Sequence, residues 1–216
     1  MVTRAQLSQE RSRLRRDELL AAAIELFADG GARAITHRAV AARAGLPSAT
    51  TTYYFESIDE LIREALSAHM TRWTRELDAL AAVDFVVDVS LDDAAGFIAA
   101  VFAERGPDVA ALHLSIFLAA AREPTLREVT DAALRALEGL STSILAKIGA
   151  PDSDELAAAV VALIAGTALR RQTGVYSEDA EARFLTAAIR DLVAGRKHRD
   201  DSGHPAPLSG RSAASR

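Results

Sequence analysis

The chain of 216 residues contains no cysteine, so disulfide staples and thiolate metal sites are excluded at the outset. That absence fits a reducing compartment. Aromatic residues make up only 5% of a chain that is 50% hydrophobic, so a core has to be built from Ala, Leu, Val and Ile. Alanine-rich sequence with few β-branched runs favours packed helices over sheets. No apolar run reaches the roughly 18 residues that a membrane span needs. The basic first 16 residues lead into an amphipathic pattern punctuated by acids, which does not read as a secretory signal. A soluble, cytoplasmic protein with no membrane contact is the expectation. The five histidines, His37, His69, His113, His198 and His204, show no ligand spacing. No Gly-x-Ser-x-Gly elbow and no phosphate-cradling glycine loop is present. An enzyme, a metal centre and a resident cofactor are therefore not expected.

Basic residues are also outnumbered, 25 against 30, and a net charge of −5 has the wrong sign for a nucleic-acid binder until it is divided. Residues 1–55 hold eight Arg and no Lys against five Asp or Glu, a balance of +3. Residues 56–216 carry the other 17 basic and 25 acidic residues, a balance of −8. Such asymmetry points to an N-terminal DNA module on an acidic body.

The stretch that explains the positive end is 36–55. Ala39, Val40 and Ala42 recur at helical spacing before Gly45, which closes a helix cheaply at positive φ. Pro47 cannot continue that helix, and Ser48 stands where the N-cap of a second one belongs. This is the sequence form of a helix-turn-helix, whose second helix enters a DNA major groove. Two adjacent tyrosines cannot both face inward, so Tyr53 or Tyr54 exposes a phenol that can donate to phosphate, while Phe55 is the better core residue. Thr50, Thr51 and Thr52 are costly in a helix interior. A groove-facing surface accounts for them, with hydroxyls for base edges and methyls for thymine. Ala49 permits close approach to a base. Thr36, His37 and Arg38 open the preceding helix, where a helix N-terminus faces phosphate. With no Arg, Asn or Gln in the second helix, bidentate base readout is absent there. Discrimination then falls to Arg38, the N-terminal residues and DNA shape.

In chain order, residues 1–14 are polar with Arg4, Arg11 and Arg13, show no apolar period and read as a flexible basic arm. Residues 15–29 form a helix with Leu19, Leu20, Ala23, Ile24, Phe27 and Ala28 on one stripe, stopped by Gly30-Gly31. The helix-turn-helix domain thus spans 15–57. Ser57 with Glu60 makes a capping box that starts a long helix reaching about residue 80 to 83, a lever out of the DNA module. A helical body follows over 58–195, with helices expected at 92–104, 107–122, 124–147, 153–172 and 178–194. The β-like stretch 84–90 has no partner strand and reads as loop or helix extension. Residues 196–216 have the composition of a disordered tail.

The Leu26-Phe27 and Gly30-Gly31 pairs, the Ala44-Gly45 turn, Tyr53-Tyr54-Phe55 and Asp59-Glu60-Leu61 together resemble the N-terminal signature of the TetR family of transcriptional regulators. The resemblance is specific over about residues 15–66. It implies an all-α protein of about nine helices, a homodimer on an inverted-repeat operator in double-stranded DNA, and release by a small-molecule effector. Two positions depart from the family pattern. Ile58 stands where a phosphate-contacting Lys is common, and the turn reads Pro47-Ser48-Ala49-Thr50-Thr51-Thr52.

In the body, His69, Trp73, Phe102, His113, Phe117 and Arg170 are the large or polar groups on otherwise apolar helices. They are candidates for an effector pocket against the alternative of packed core. An Arg170 inside such a pocket favours an acidic or acyl ligand. Leu156, Val160, Leu163 and Thr167, with Phe184, Ala188 and Leu192, offer two small-residue faces for a four-helix contact about a two-fold axis. A helical ligand-binding or protein-interaction module with a degenerate DNA-binding head is the competing reading, and Ile58 is its main support.

Overall fold

The computed structural model describes residues 3–83, 90, 93, 96, 97, 100, 106–150 and 152–201, and every regular element among them is helical. Helix α1 runs Arg4–Gly30, so the expected flexible arm over 1–14 is corrected to two helical turns and more. Thr3 accepts from Gln6 N–H while the Gln6 side chain accepts from Thr3 N–H. This capping box starts a run rich in Arg, Gln, Leu and Glu, which are good helix formers. Solvent surrounds these turns, so no apolar period betrays them in the sequence. The later half buries Leu19, Leu20, Ala23 and Phe27 as expected, with Ala22 and Leu26 added and Ala28 exposed.

Helix α2, His37–Arg43, is capped by Thr36, whose hydroxyl accepts Ala39 N–H. It ends in two nested bonds, Leu46 N–H to Ala41 O at 2.8 Å and Gly45 N–H to Ala42 O at 3.2 Å. Gly45 at φ +67° supplies the left-handed residue that this double closure needs. Helix α3, Ala49–Tyr54, follows. Ser48 is itself in the helical region and its hydroxyl caps nothing, which corrects the expected N-cap. The turn is instead closed by Thr50 N–H donating to Pro47 O.

Helix α4, Ile58–Ala81, opens on Ser57, which accepts Glu60 N–H as the sequence suggests. The Glu60 carboxylate takes the N–H of Glu56, one residue ahead of the cap, so the box is shifted rather than reciprocal. Leu61, Ala65, Leu66, Met70, Trp73 and Leu77 form its buried stripe. Then come α5 (Gly106–Ala120), a 3-10 turn at Pro124–Leu126, α6 (Arg127–Lys147), α7 (Ser153–Arg171) and α8 (Glu178–Asp201). Helix α8 passes the expected start of the disordered tail at 196. Arg196 pairs with Asp152 and Glu155 and pins that turn to the start of α7, an anchor that composition does not reveal. The expected helix at 92–104 and the stretch 84–90 lie largely outside the described residues.

Buried side chains form one continuous cluster from Leu19 to Val193. Helix α6 packs on α4 and α7, α8 on α7, and α1 on α4. Helix α4 therefore belongs to both halves: its first turns pack with the N-terminal helices and its later turns with the body.

Candidate DNA-binding face and ligand cavity

The two short helices present one polar face. Thr36, Arg38, Ser48, Ala49, Thr52 and Tyr53 are exposed, and His37, Thr50 and Tyr54 are half-buried. Tyr53, 81% exposed, is the outward phenol of the pair, set edge-on to Tyr54 with ring centroids 5.0 Å apart. The Tyr54 hydroxyl accepts from Ser12 Oγ at 3.2 Å, which ties the end of the recognition helix to α1. Phe55 is buried, with the Arg16 guanidinium 4.9 Å from its ring.

Thr51 is the clear exception to the groove-facing reading. It is 0% exposed, and its hydroxyl donates to Ser48 O at 3.0 Å with His37 O at 3.3 Å. It holds α3 against α2 and is removed from the set of base-reading candidates. The reason is the helical period: three consecutive residues span about 200° of a helix, so one of them must turn inward. Thr52 spends its proton on Ala49 O, leaving an acceptor and a methyl on the surface. Arg43, by contrast, is tied back to Asp29 at 2.7 Å and Glu25 at 3.2 Å. Arg38, Arg11, Arg13 and Arg15 are exposed cations of the N-terminal helices.

Behind this head, α4 through α8 line a partly open cavity of about 220 Å³. Three of the six candidates, Trp73, His113 and Phe117, line it. Trp73 stacks on His113 at 3.7 Å and 15°, and meets Phe117 edge-on at 6.4 Å. His69 stands one layer back, its Nε2 3.1 Å from His113 Nε2. Arg72 can only donate, so its 3.3 Å approach to His69 Nδ1 makes that nitrogen the acceptor. His69 Nε2–H then donates to His113. Burial holds the His69 pKa below the usual imidazole value, Arg72 adds to that, and Glu76 opposes it. Phe102 lies outside the described residues.

Arg170 is corrected: it is not in the cavity wall. Its guanidinium is bound by Glu181 at 3.0–3.2 Å and lies 4.6 Å from the rings of both Tyr176 and Phe184. Its neighbour Arg171 lines the cavity with Glu178 and Glu181. Sequence reasoning missed these three because their pairing crosses the α7–α8 connection; an Arg-Arg end facing an acidic first helical turn is the one available signal.

Three of the proposed dimer residues are also reassigned. Leu156 and Val160 are buried within the protomer, and Thr167, 6% exposed, lines the cavity. Leu163, Ala188 and Leu192 instead border an open groove with Ala159 and Ala162, and Phe184 is exposed beside it. The apolar stripe of α7 is wide enough to have two sides, and only packing decides which is used internally.

Among the described residues no helix is long and apolar enough to cross a membrane. Residues 19–65 match the model of bacterial regulatory proteins of the tetR family, and residues 89–195 match that of the tetracyclin repressor-like C-terminal domain. No curated protein matches the chain. Among solved structures, the multidrug binding protein EbrR complexed with proflavin is similar at 26% identity and TM-score 0.58, covering 83% of this chain and 99% of that one. A TetR-family member from Streptomyces coelicolor A3 is similar at 28% identity and TM-score 0.58, covering 83% and 98%. A transcriptional regulator from Rhodococcus sp. Rha1 shares the fold at TM-score 0.67 and 24% identity, covering 83% and 96%. With a helix-turn-helix head and a cavity-bearing helical body in the order these relatives share, the chain belongs to the TetR family of bacterial transcriptional regulators, which bind DNA and are not enzymes.

Proposed function

We propose that the protein is a homodimeric repressor that reads an inverted-repeat operator and is released when a small molecule fills the α4–α8 cavity. The observation that carries this reading is the double role of α4. Its first residue, Ile58, lies four positions after the recognition helix ends at Tyr54, and its Trp73 forms a wall of the cavity. A ligand pressing on Trp73 biases the tilt of the element that carries the DNA head. Arg16 extends the linkage, since it pairs with Glu64 on α4 and stacks on Phe55 at the end of α3. The separation of two recognition helices has to match major grooves about 34 Å apart, so a small tilt is enough to lose one half-site. The open groove along Leu163, Ala188 and Leu192, with Phe184, is the face assigned to the second copy. That a similar protein, EbrR, is complexed with proflavin and with ethidium supports a small-molecule effector for this chain.

Phosphate contacts in this reading come from Tyr53, Arg38 and the exposed arginines of α1, in place of the Lys that Ile58 replaces. Ile58 also favours the second reading, a body that responds to ligand with a head that no longer binds DNA. Selection of duplexes from a random pool separates the two. An inverted repeat bound with nanomolar Kd, weakening as salt rises, supports the repressor; no enrichment over random sequence rejects it.

A further inference from the structure

The cavity volume of about 220 Å³ gives a scale for its occupant. Apolar cavities of about 150 Å³ hold benzene, and drug-sized ligands occupy about 300–1,000 Å³. An occupant of one or two fused rings fits between these limits. The wall made by Trp73 stacked on His113, with Phe117 edge-on, favours a flat one.

The charged groups at the border are paired with each other. Glu181, 1% exposed, accepts from both Nε and Nη2 of Arg170, and that guanidinium is held between two aromatic rings. Arg171 pairs with Glu178 at 3.0 Å. A cationic ligand has to take Glu181 from a bidentate arginine that also lies over two aromatic rings. Two neutral polar groups are open instead. Trp73 Nε1 and Thr167 Oγ1 are buried, make no hydrogen bond to any protein atom, and belong to residues that line the cavity. Buried donors are almost always satisfied, so two of them beside one cavity point to a ligand that supplies the missing partners.

We propose that the cavity takes a neutral, planar molecule of one or two rings that carries a hydrogen-bond acceptor for Trp73 Nε1, with the Thr167 hydroxyl as its second polar anchor. The proposal rests on the reading of this cavity as the effector site.

Trp73 is the one tryptophan in the chain, so its emission reports the cavity directly and without DNA. Three probes of matched size test the chemistry: coumarin, which is neutral with acceptors; naphthalene, which has none; and N-methylquinolinium, which is cationic. Coumarin is expected to quench Trp73 and to bind about tenfold more tightly than either of the others, the worth of one well-placed hydrogen bond. Thr167→Val, equal in shape and lacking the hydroxyl, is expected to weaken coumarin about five- to tenfold and to leave naphthalene unchanged. Arg170→Met frees Glu181 and is expected to raise the affinity for N-methylquinolinium. The proposal is overturned if the cation binds wild-type protein most tightly, if none of the three binds, or if Thr167→Val moves coumarin and naphthalene equally. Release of a selected duplex is measured separately. Coumarin binding without release leaves the ligand class standing and removes the repressor mechanism; release by the cation alone does the reverse.

Discussion

Single side chains divide α3 into an exposed surface, the one proposed to meet DNA, and one that holds the head together. Tyr53 is free to donate to a phosphate, whereas Tyr54 is engaged by Ser12. Tyr53→Phe should weaken binding to all duplexes alike, and Thr52→Ala should change preference among sequences, both readable by competition assays at fixed salt. Thr51→Val should cost about 1 kcal/mol in chemical unfolding, because the hydroxyl that bridges to Ser48 and His37 is lost inside the core. His69 sets an acid limb. Its folded pKa lies below the ordinary imidazole value of 6.5, so below that pH the unfolded chain binds the proton first. The stability it contributes is whole above pH 6.5 and is lost as pH falls toward the depressed folded value. His69→Gln should shrink the drop in Tm between pH 7.5 and 5.5 relative to wild type.

At the scale of elements, the ends of helices carry most of what was legible. Thr36, Gly45 and Ser57 announce the boundaries of α2 and α4 through local chemistry, and each makes the bond that its position implies. Gly45→Ala should lower stability by about 1 kcal/mol, since φ +67° strains any residue with a Cβ. It should also weaken operator binding, because the double closure at Leu46 aims α3. Thermal unfolding and duplex titration of the same variant check the two effects. Two ends were illegible for opposite reasons. The start of α1 is capped but wet on all sides, so it has no apolar period. The end of α8 is polar and stays helical through the Arg196 contacts to α7.

For the whole molecule, the proposed function makes the α4 lever and the α7–α8 seam decide whether the head works as half of a pair. Leu163→Glu, placed in the open groove and away from the cavity wall, should convert dimer to monomer in sedimentation. It should cost operator affinity about 10²-fold or more, the avidity of two linked half-sites. Local chemistry was enough for the helical class, the helix-turn-helix, the charge split and the aromatic candidates Trp73, His113 and Phe117, because these depend on periods and caps within a few residues. The sequence by itself therefore determined what kind of protein this is. Only the tertiary structure decided which face of α7 lines the cavity and which faces outward, that Thr167 and Thr51 point inward, and that Arg170 is bound to Glu181 rather than open to a ligand. An apolar stripe tells that a helix face is covered. What covers it depends on neighbours brought from tens of residues away, and no spacing along one helix encodes them.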